Sequence, residues 1–176
     1  MWLFSKKIKE KIISVVILNT GGTFNKEYNE INGIVEVRED NNLIEIIMEK
    51  SKITKENVFG LFYKDSLELT NLDREKLVLY IKKLDSQKIL IVHGTDTMDI
   101  TAKYLDTQIK DKTIVLTGAM KPYSIYPVEA TSNLILGYGY LLGCKTKGIY
   151  IAMHGNVKEY TQIQKNKEKG IFECLS

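Results

Sequence analysis

The chain has 176 residues, 44% hydrophobic, 27% charged and 9% aromatic. That length predicts a single domain over residues 1–176 with a core that needs no staples, since a chain of this size buries roughly two-thirds of its unfolded surface. The apolar content excludes disorder as the main state. A net charge of +3, from 25 basic and 22 acidic residues spread along the chain, is too even to point to nucleic acid.

The basic start Met1–Lys11 runs into the apolar stretch Ile12–Leu18, the longest in the chain. That run is far shorter than the roughly 20 residues of a membrane span. It leads into Asn19-Thr20-Gly21-Gly22-Thr23 with no small-residue cleavage site, so a secretory leader is not expected. Cys144 and Cys174 form no CxxC pair, and reduced thiols in a cytoplasmic protein are the expectation.

Ile13–Leu18 reads as the first buried strand. A polar connection from Gly22 to Asn41 follows, with Asn-Gly at 32–33. It is the longest in the chain, and such connections tend to be binding loops or lids. A helix is predicted over Asn42–Lys50, with Leu43, Ile46 and Ile47 on one face, then a strand over Val58–Tyr63. Thr70-Asn71-Leu72-Asp73 supplies N-cap residues for a helix over Asp73–Leu84, where Leu77, Tyr80, Ile81 and Leu84 recur at helical spacing. Strand Ile89–Val92, helix Met98–Ile109, strand Thr113–Leu116, helix Val128–Leu142 and strand Gly148–Ala152 complete the alternation. Five continuous apolar strands separated by helices predict an α/β fold, a doubly wound, flavodoxin-like parallel sheet of about five strands covered on both faces.

In such a sheet ligands bind beyond the carboxyl ends of the strands. There the chain carries Thr20-Gly21-Gly22-Thr23, Lys64-Asp65-Ser66, His93-Gly94-Thr95-Asp96-Thr97, Thr117-Gly118-Ala119-Met120-Lys121-Pro122 and Met153-His154-Gly155-Asn156. Glycines let backbone N–H groups approach a ligand, and the helix opening near Thr97 favours an anion such as a carboxylate. Asp96 is placed to pair with an ammonium group. Thr20, Thr23, Ser66 and Thr95 are candidate nucleophiles or hydrogen-bond donors, a hydroxyl needing a base or nearby cation to react. Each has an ordinary competing role. The glycine pair is also a tight turn, and Thr95-Asp96-Thr97 also an N-cap cluster. His93 and His154 also read as hydrogen-bonded structural histidines; with no others, a His-rich metal site is not expected. Lys158–Lys169 reads as a solvated charged face, and Cys144 as an inert thiol.

Thr20-Gly21-Gly22-Thr23 and His93-Gly94-Thr95-Asp96-Thr97-Met98 resemble the two signatures of the bacterial-type L-asparaginases. Thr117-Gly118-Ala119-Met120-Lys121-Pro122 and Glu129-Ala130-Thr131-Ser132-Asn133-Leu134 are similar to a strand end and helix of the same family. The resemblance runs from about Ile13 to about Lys165. It implies hydrolysis of L-asparagine to L-aspartate and ammonia through a threonine acyl-enzyme, without metal or organic cofactor. Thr23 matches the acylated nucleophile. Thr95, Asp96 and Lys165 match a threonine–aspartate–lysine set, Lys165 by counting onward from Met153. Tyr28 is the tyrosine nearest the first threonine, in the loop where the family keeps a catalytic one. Gly22, Asp65, Ser66, Gly94, Thr95, Asp96 and Ala119 are the implied substrate contacts, Ser66 for the α-carboxylate and Ala119 through its carbonyl. Leu67 stands where many members have glutamine or aspartate.

A one-domain form is expected, without the cross-subunit glutamate that the second domain of longer members supplies, and a homodimer or higher homo-oligomer. Neither nucleic acid nor membrane is an expected partner. Two other readings compete. One is a non-catalytic amino-acid-binding relic of the same fold, motivated by Leu67 and the absent second domain. The other is a flavodoxin-like electron carrier, since Thr20–Thr23 is distantly similar to a phosphate loop. The basic pI of about 8.6 and the poor fit of the other loops count against the carrier.

Overall fold

A computed structural model describes residues 15–53 and 57–175. The basic start and the first two residues of the strand expected over Ile13–Leu18 lie outside them. The central sheet has six strands: β1 (Val15–Gly21), β4 (Asn57–Lys64), β5 (Lys88–Val92), β6 (Thr113–Thr117), β7 (Gly148–Met153) and β8 (Asn156–Glu159). Their order is β4-β1-β5-β6-β7-β8. The first five are parallel, and β8 pairs antiparallel with β7. The five predicted strands are all present. The sixth is an addition: Gly155, with φ +79, turns the chain straight back along β7.

Four helices cover the sheet: α1 (Asn42–Lys50), α2 (Asn71–Lys83), α3 (Met98–Gln108) and α4 (Pro127–Gly143). Strand periodicity sorts the core into two layers. Val16 and Leu18 face the side that holds Leu77, Ile81, Ala102 and Leu105 of α2 and α3. Val15 and Ile17 face Ile44, Ile47, Leu134 and Leu141 of α1 and α4. Every residue of β1 is buried, as a strand with helices on both sides requires. Among the described residues, no helix is long and apolar enough to cross a membrane.

The polar connection after β1 holds a hairpin, β2 (Lys26–Asn29) with β3 (Ile34–Val37). A second hairpin, β9 (Ile163–Asn166) with β10 (Ile171–Cys174), occupies much of the stretch expected to be a solvated charged face. Ile163 and Phe172 sink into the α2/α3 layer of the core, while Gln164, Lys167 and Lys169 remain exposed.

The start of α2 is secured by a capping box. The Thr70 hydroxyl accepts from Asp73 N at 3.3 Å, and the Asp73 carboxylate accepts from Thr70 N at 2.9 Å. The Lys64 ammonium, at the end of β4, reaches both Asp73 oxygens at 3.0 Å. Burial alone would raise the Asp73 pKa. The Thr70 N–H, Lys64 and the Thr70 hydroxyl outweigh it and hold the pKa down to about 2, against an ordinary 3.8. A depressed carboxyl stabilises the fold above its unfolded pKa, and that stability is lost as pH falls through the folded value. Asp73→Asn is therefore expected to cost about 2 kcal/mol at neutral pH. In denaturant titrations the gap to wild type should close as pH drops from about 4 toward 2.

Candidate active site

The strand order reverses between β4-β1 and β5, so the loops after β1 and β5 border a topological switch point. Glycine lets them touch. A Cβ on Gly22 would overlap the Cα and N of Gly94, and Gly22 holds φ +80. A Cβ on Gly94 would lie 2.6 Å from that of Ser66. Three loops, after β1, β4 and β5, thus stack backbone on backbone. Thr23 and Thr95 each follow one of the touching glycines.

Beneath this contact, Thr20 and His93 are both matched. Thr20, itself buried, donates its hydroxyl to Val92 O at 2.9 Å, which fixes it as a tie between β1 and β5 and removes it from the candidate nucleophiles. His93 is fully buried. Burial, helped by the Arg74 cation and opposed by the Gly94 carbonyl bond, lowers its pKa to about 4, so it stays neutral. Its Nδ1–H donates to Gly94 O at 2.7 Å, and Nε2 accepts from the Thr101 hydroxyl at 2.9 Å. Thr101 in turn accepts from Arg74 Nε at 3.0 Å. The imidazole is a structural brace for the Gly94 backbone.

Above this floor lies the cluster implied by the resemblance. Lys165 Nζ donates to Thr95 Oγ1 and to Asp96 Oδ1, each at 2.8 Å. The Lys165 side chain is 14% exposed and that of Asp96 36%. Alternation along β9 explains this: Ile163 and Lys165 share one face, Ile163 entering the core and Lys165 the rim. A cavity of about 210 Å³ opens beside them, bordered by Asp99, Ile100 and Lys167. Thr97 makes no side-chain cap for α3; its hydroxyl donates instead to Ser66 O at 2.8 Å.

Ser66 is buried, and its Oγ accepts from Asp96 N at 3.3 Å. Asp65 lies beside it, engaged by Lys26 Nζ at 2.6 Å and by Leu67 N at 3.1 Å. Burial pushes the Asp65 carboxyl up, but Lys26, the Leu67 N–H and the more distant Lys165 together hold it below the usual carboxylate range. Ala119 is fully buried two residues beyond the end of β6. The loop it opens is held by Glu129, which accepts from Met120 N at 2.8 Å and Lys121 N at 3.2 Å.

Thr95, Asp96, Lys165, Ser66, Gly22 and Gly94 therefore come together, with Thr23 next to Gly22. Among the described residues no hydrogen bond to the Thr23 hydroxyl is found. Tyr28 is not brought in: it sits on β2, 57% exposed, on the strand face it shares with Lys26 but nearer the turn. Lys26 and the contacts of His154 escape a reading by motif; Glu129 stands in the motif Glu129–Leu134, but its hold on the Ala119 loop does not follow from it.

The Asparaginase, N-terminal family model matches residues 14–172. L-asparaginase 2 of Bacillus subtilis is 32% identical over 143 residues, covering 72% of this chain and 36% of that protein. A glutamyl-tRNA(Gln) amidotransferase component of Methanococcus maripaludis is 27% identical over 158 residues, covering 82% and 36%. A probable cytoplasmic L-asparaginase from Campylobacter jejuni superposes with a TM-score of 0.79 at 24% identity, over 92% of this chain and 52% of that one. The thermostable L-asparaginase from Thermococcus kodakarensis gives 0.77 at 23%, over 92% and 51%. The doubly wound sheet is thus shared with solved L-asparaginase structures. The chain belongs to the asparaginase family, and spans about a third to a half of the length of these relatives.

Proposed function

We propose that this protein hydrolyses the side-chain amide of L-asparagine to L-aspartate and ammonia. One observation carries the reading: the Lys165 ammonium bridges Thr95 Oγ1 and Asp96 Oδ1 at 2.8 Å each, on a rim formed by touching glycine loops. The Thr23 oxygen attacks the amide carbon, and ammonia leaves as the aspartyl ester of Thr23 forms. Water then attacks the ester, releasing aspartate and restoring the hydroxyl. As Thr23 attacks, its proton passes to Thr95 Oγ1 while the Thr95 proton moves on to the amide nitrogen, which leaves as ammonia; the Lys165 ammonium lowers the cost of negative charge on Thr95 Oγ1 during this relay. Asp96 keeps Oδ2 for the substrate ammonium. The Ser66 hydroxyl, accepting from Asp96 N, keeps its own proton for the α-carboxylate. Tyr28 joins when the β2–β3 hairpin bends inward over the rim, carried on the face that already sends Lys26 to Asp65. The reading includes a cytoplasmic, homo-oligomeric protein; the free thiols of Cys144 and Cys174 are consistent with a reducing compartment.

The test is ammonia release from asparagine and from glutamine, with intact-mass detection of an acyl-threonine. Thr23→Ala and Thr95→Val should abolish release in folded protein. Threonine-independent release, or none from wild type, would sink the proposal.

A second reading, amino-acid binding without turnover, draws on the open position of Tyr28 and the lone Thr23 hydroxyl. Calorimetry with aspartate and asparagine separates the two: tight binding of both with no ammonia formed favours it.

A further inference from the structure

We propose that His154, clamped by Glu129, is a positioning residue that sets the Lys165 ammonium against Thr95; the proposal rests on the asparaginase reading above. The β9–β10 hairpin is a separate two-stranded sheet that does not pair with the six-stranded one. Its position relative to the rim therefore depends on contacts other than a strand ladder. Ile163 and Phe172 supply apolar burial, which is non-directional. Direction comes from His154, whose Nδ1 accepts from Phe172 N at 3.1 Å.

Phe172 is the cross-strand partner of Lys165. Because its N–H points away from β9 to the imidazole, Phe172 and Lys165 form a pair without mutual backbone hydrogen bonds. In such pairs the two side chains stand closest on one face. Fixing Phe172 thereby fixes the base of the Lys165 side chain.

His154 is itself over-determined. Since Nδ1 accepts, Nε2 carries the hydrogen and donates to Glu129 Oε1 at 3.0 Å. The His154 N–H donates to Asn133 Oδ1 at 2.9 Å, and its backbone sits in the left-handed region at φ +50. The same Glu129 oxygen accepts from Met120 N, just after Ala119. One carboxylate and one imidazole therefore join the two walls of the rim, the Ala119 loop and the β9–β10 hairpin that carries Lys165. A cavity of about 490 Å³ beside them, bordered by Lys121, Tyr126 and Phe172, leaves the long imidazole room to swing if the Glu129 bond is lost, whereas a shorter side chain that accepts at the Nδ1 place needs no such clamp.

His154→Ala is expected to lower kcat about ten- to a hundredfold, as a small displacement of a reacting group does, with KM nearly unchanged. His154→Asn should keep most of kcat, because its Oδ1 can occupy the Nδ1 place and asparagine tolerates the left-handed backbone. A readout independent of turnover is acylation by acetic anhydride, followed by mass spectrometry, of Lys165 against the well-exposed Lys110. His154→Ala should raise the Lys165 rate several-fold, and His154→Asn should not. If wild type releases no ammonia, the asparaginase reading fails and the labelling pattern alone decides the positioning role. Unchanged Lys165 labelling in His154→Ala overturns the proposal, with or without a loss of kcat. So does an asparagine variant that behaves like the alanine one.

Discussion

Replacing Lys165 with methionine is expected to lower kcat for asparagine by about 10²–10⁴-fold, the span typical of a lost acid–base group. The substitution keeps an unbranched apolar chain one atom shorter than the lysine side chain and removes the charge and both hydrogen bonds. Thr95 then has no cation to offset charge on its oxygen. Asp96, left without its partner, remains partly in water, so the fold should lose little. KM should hold steady or fall, because the carboxylate proposed to bind the substrate ammonium is freed of competition. Lys165→Arg should not rescue turnover, since a planar guanidinium cannot place one nitrogen between the two oxygens in the same way. Wild-type turnover in the methionine variant would remove Lys165 from the mechanism.

Gly22→Ala is expected to be the most damaging change to the scaffold. The new methyl would overlap the Gly94 backbone, which cannot rotate away as a side chain could, and it would do so from a φ of +80 that alanine resists. Strain and overpacking together predict a loss of about 3 kcal/mol or more. In thermal melts the variant should unfold well below wild type, and any folded fraction should lack threonine-dependent ammonia release. A variant with wild-type melting temperature would show that the two loops separate more easily than their packing implies.

The parallel strands and four helices were legible because their residues are buried on fixed periods. Ile89–Val92 and Thr113–Leu116 are continuous runs rich in β-branched residues, and α2 begins at a readable capping box. The hairpins were not legible. In β2 the order Lys26, Glu27, Tyr28, Asn29 shows no alternation of apolar and polar, because both faces meet water or salt bridges. The β9–β10 hairpin has only Ile163 and Phe172 turned into the core, too few to stand out among lysines. Lys165 was reached through family resemblance alone; nothing in the surrounding charges distinguishes it from Lys167 or Lys169. His154 was readable as a hydrogen-bonded histidine, but its partners Glu129 and Phe172 lie 25 and 18 residues away and are joined to it only by the fold.

The separation of Thr95 and Lys165 by 70 positions has a further meaning for synthesis. The ribosome delivers the chain from its amino end at about 5–20 residues per second, and early segments begin to fold before later ones emerge. The loops carrying Thr23, Ser66 and Thr95 leave the exit tunnel first, and the lysine follows later on β9. Its brace, Phe172, comes later still. For several seconds a nascent chain holds the pocket without the charge that is proposed to activate it.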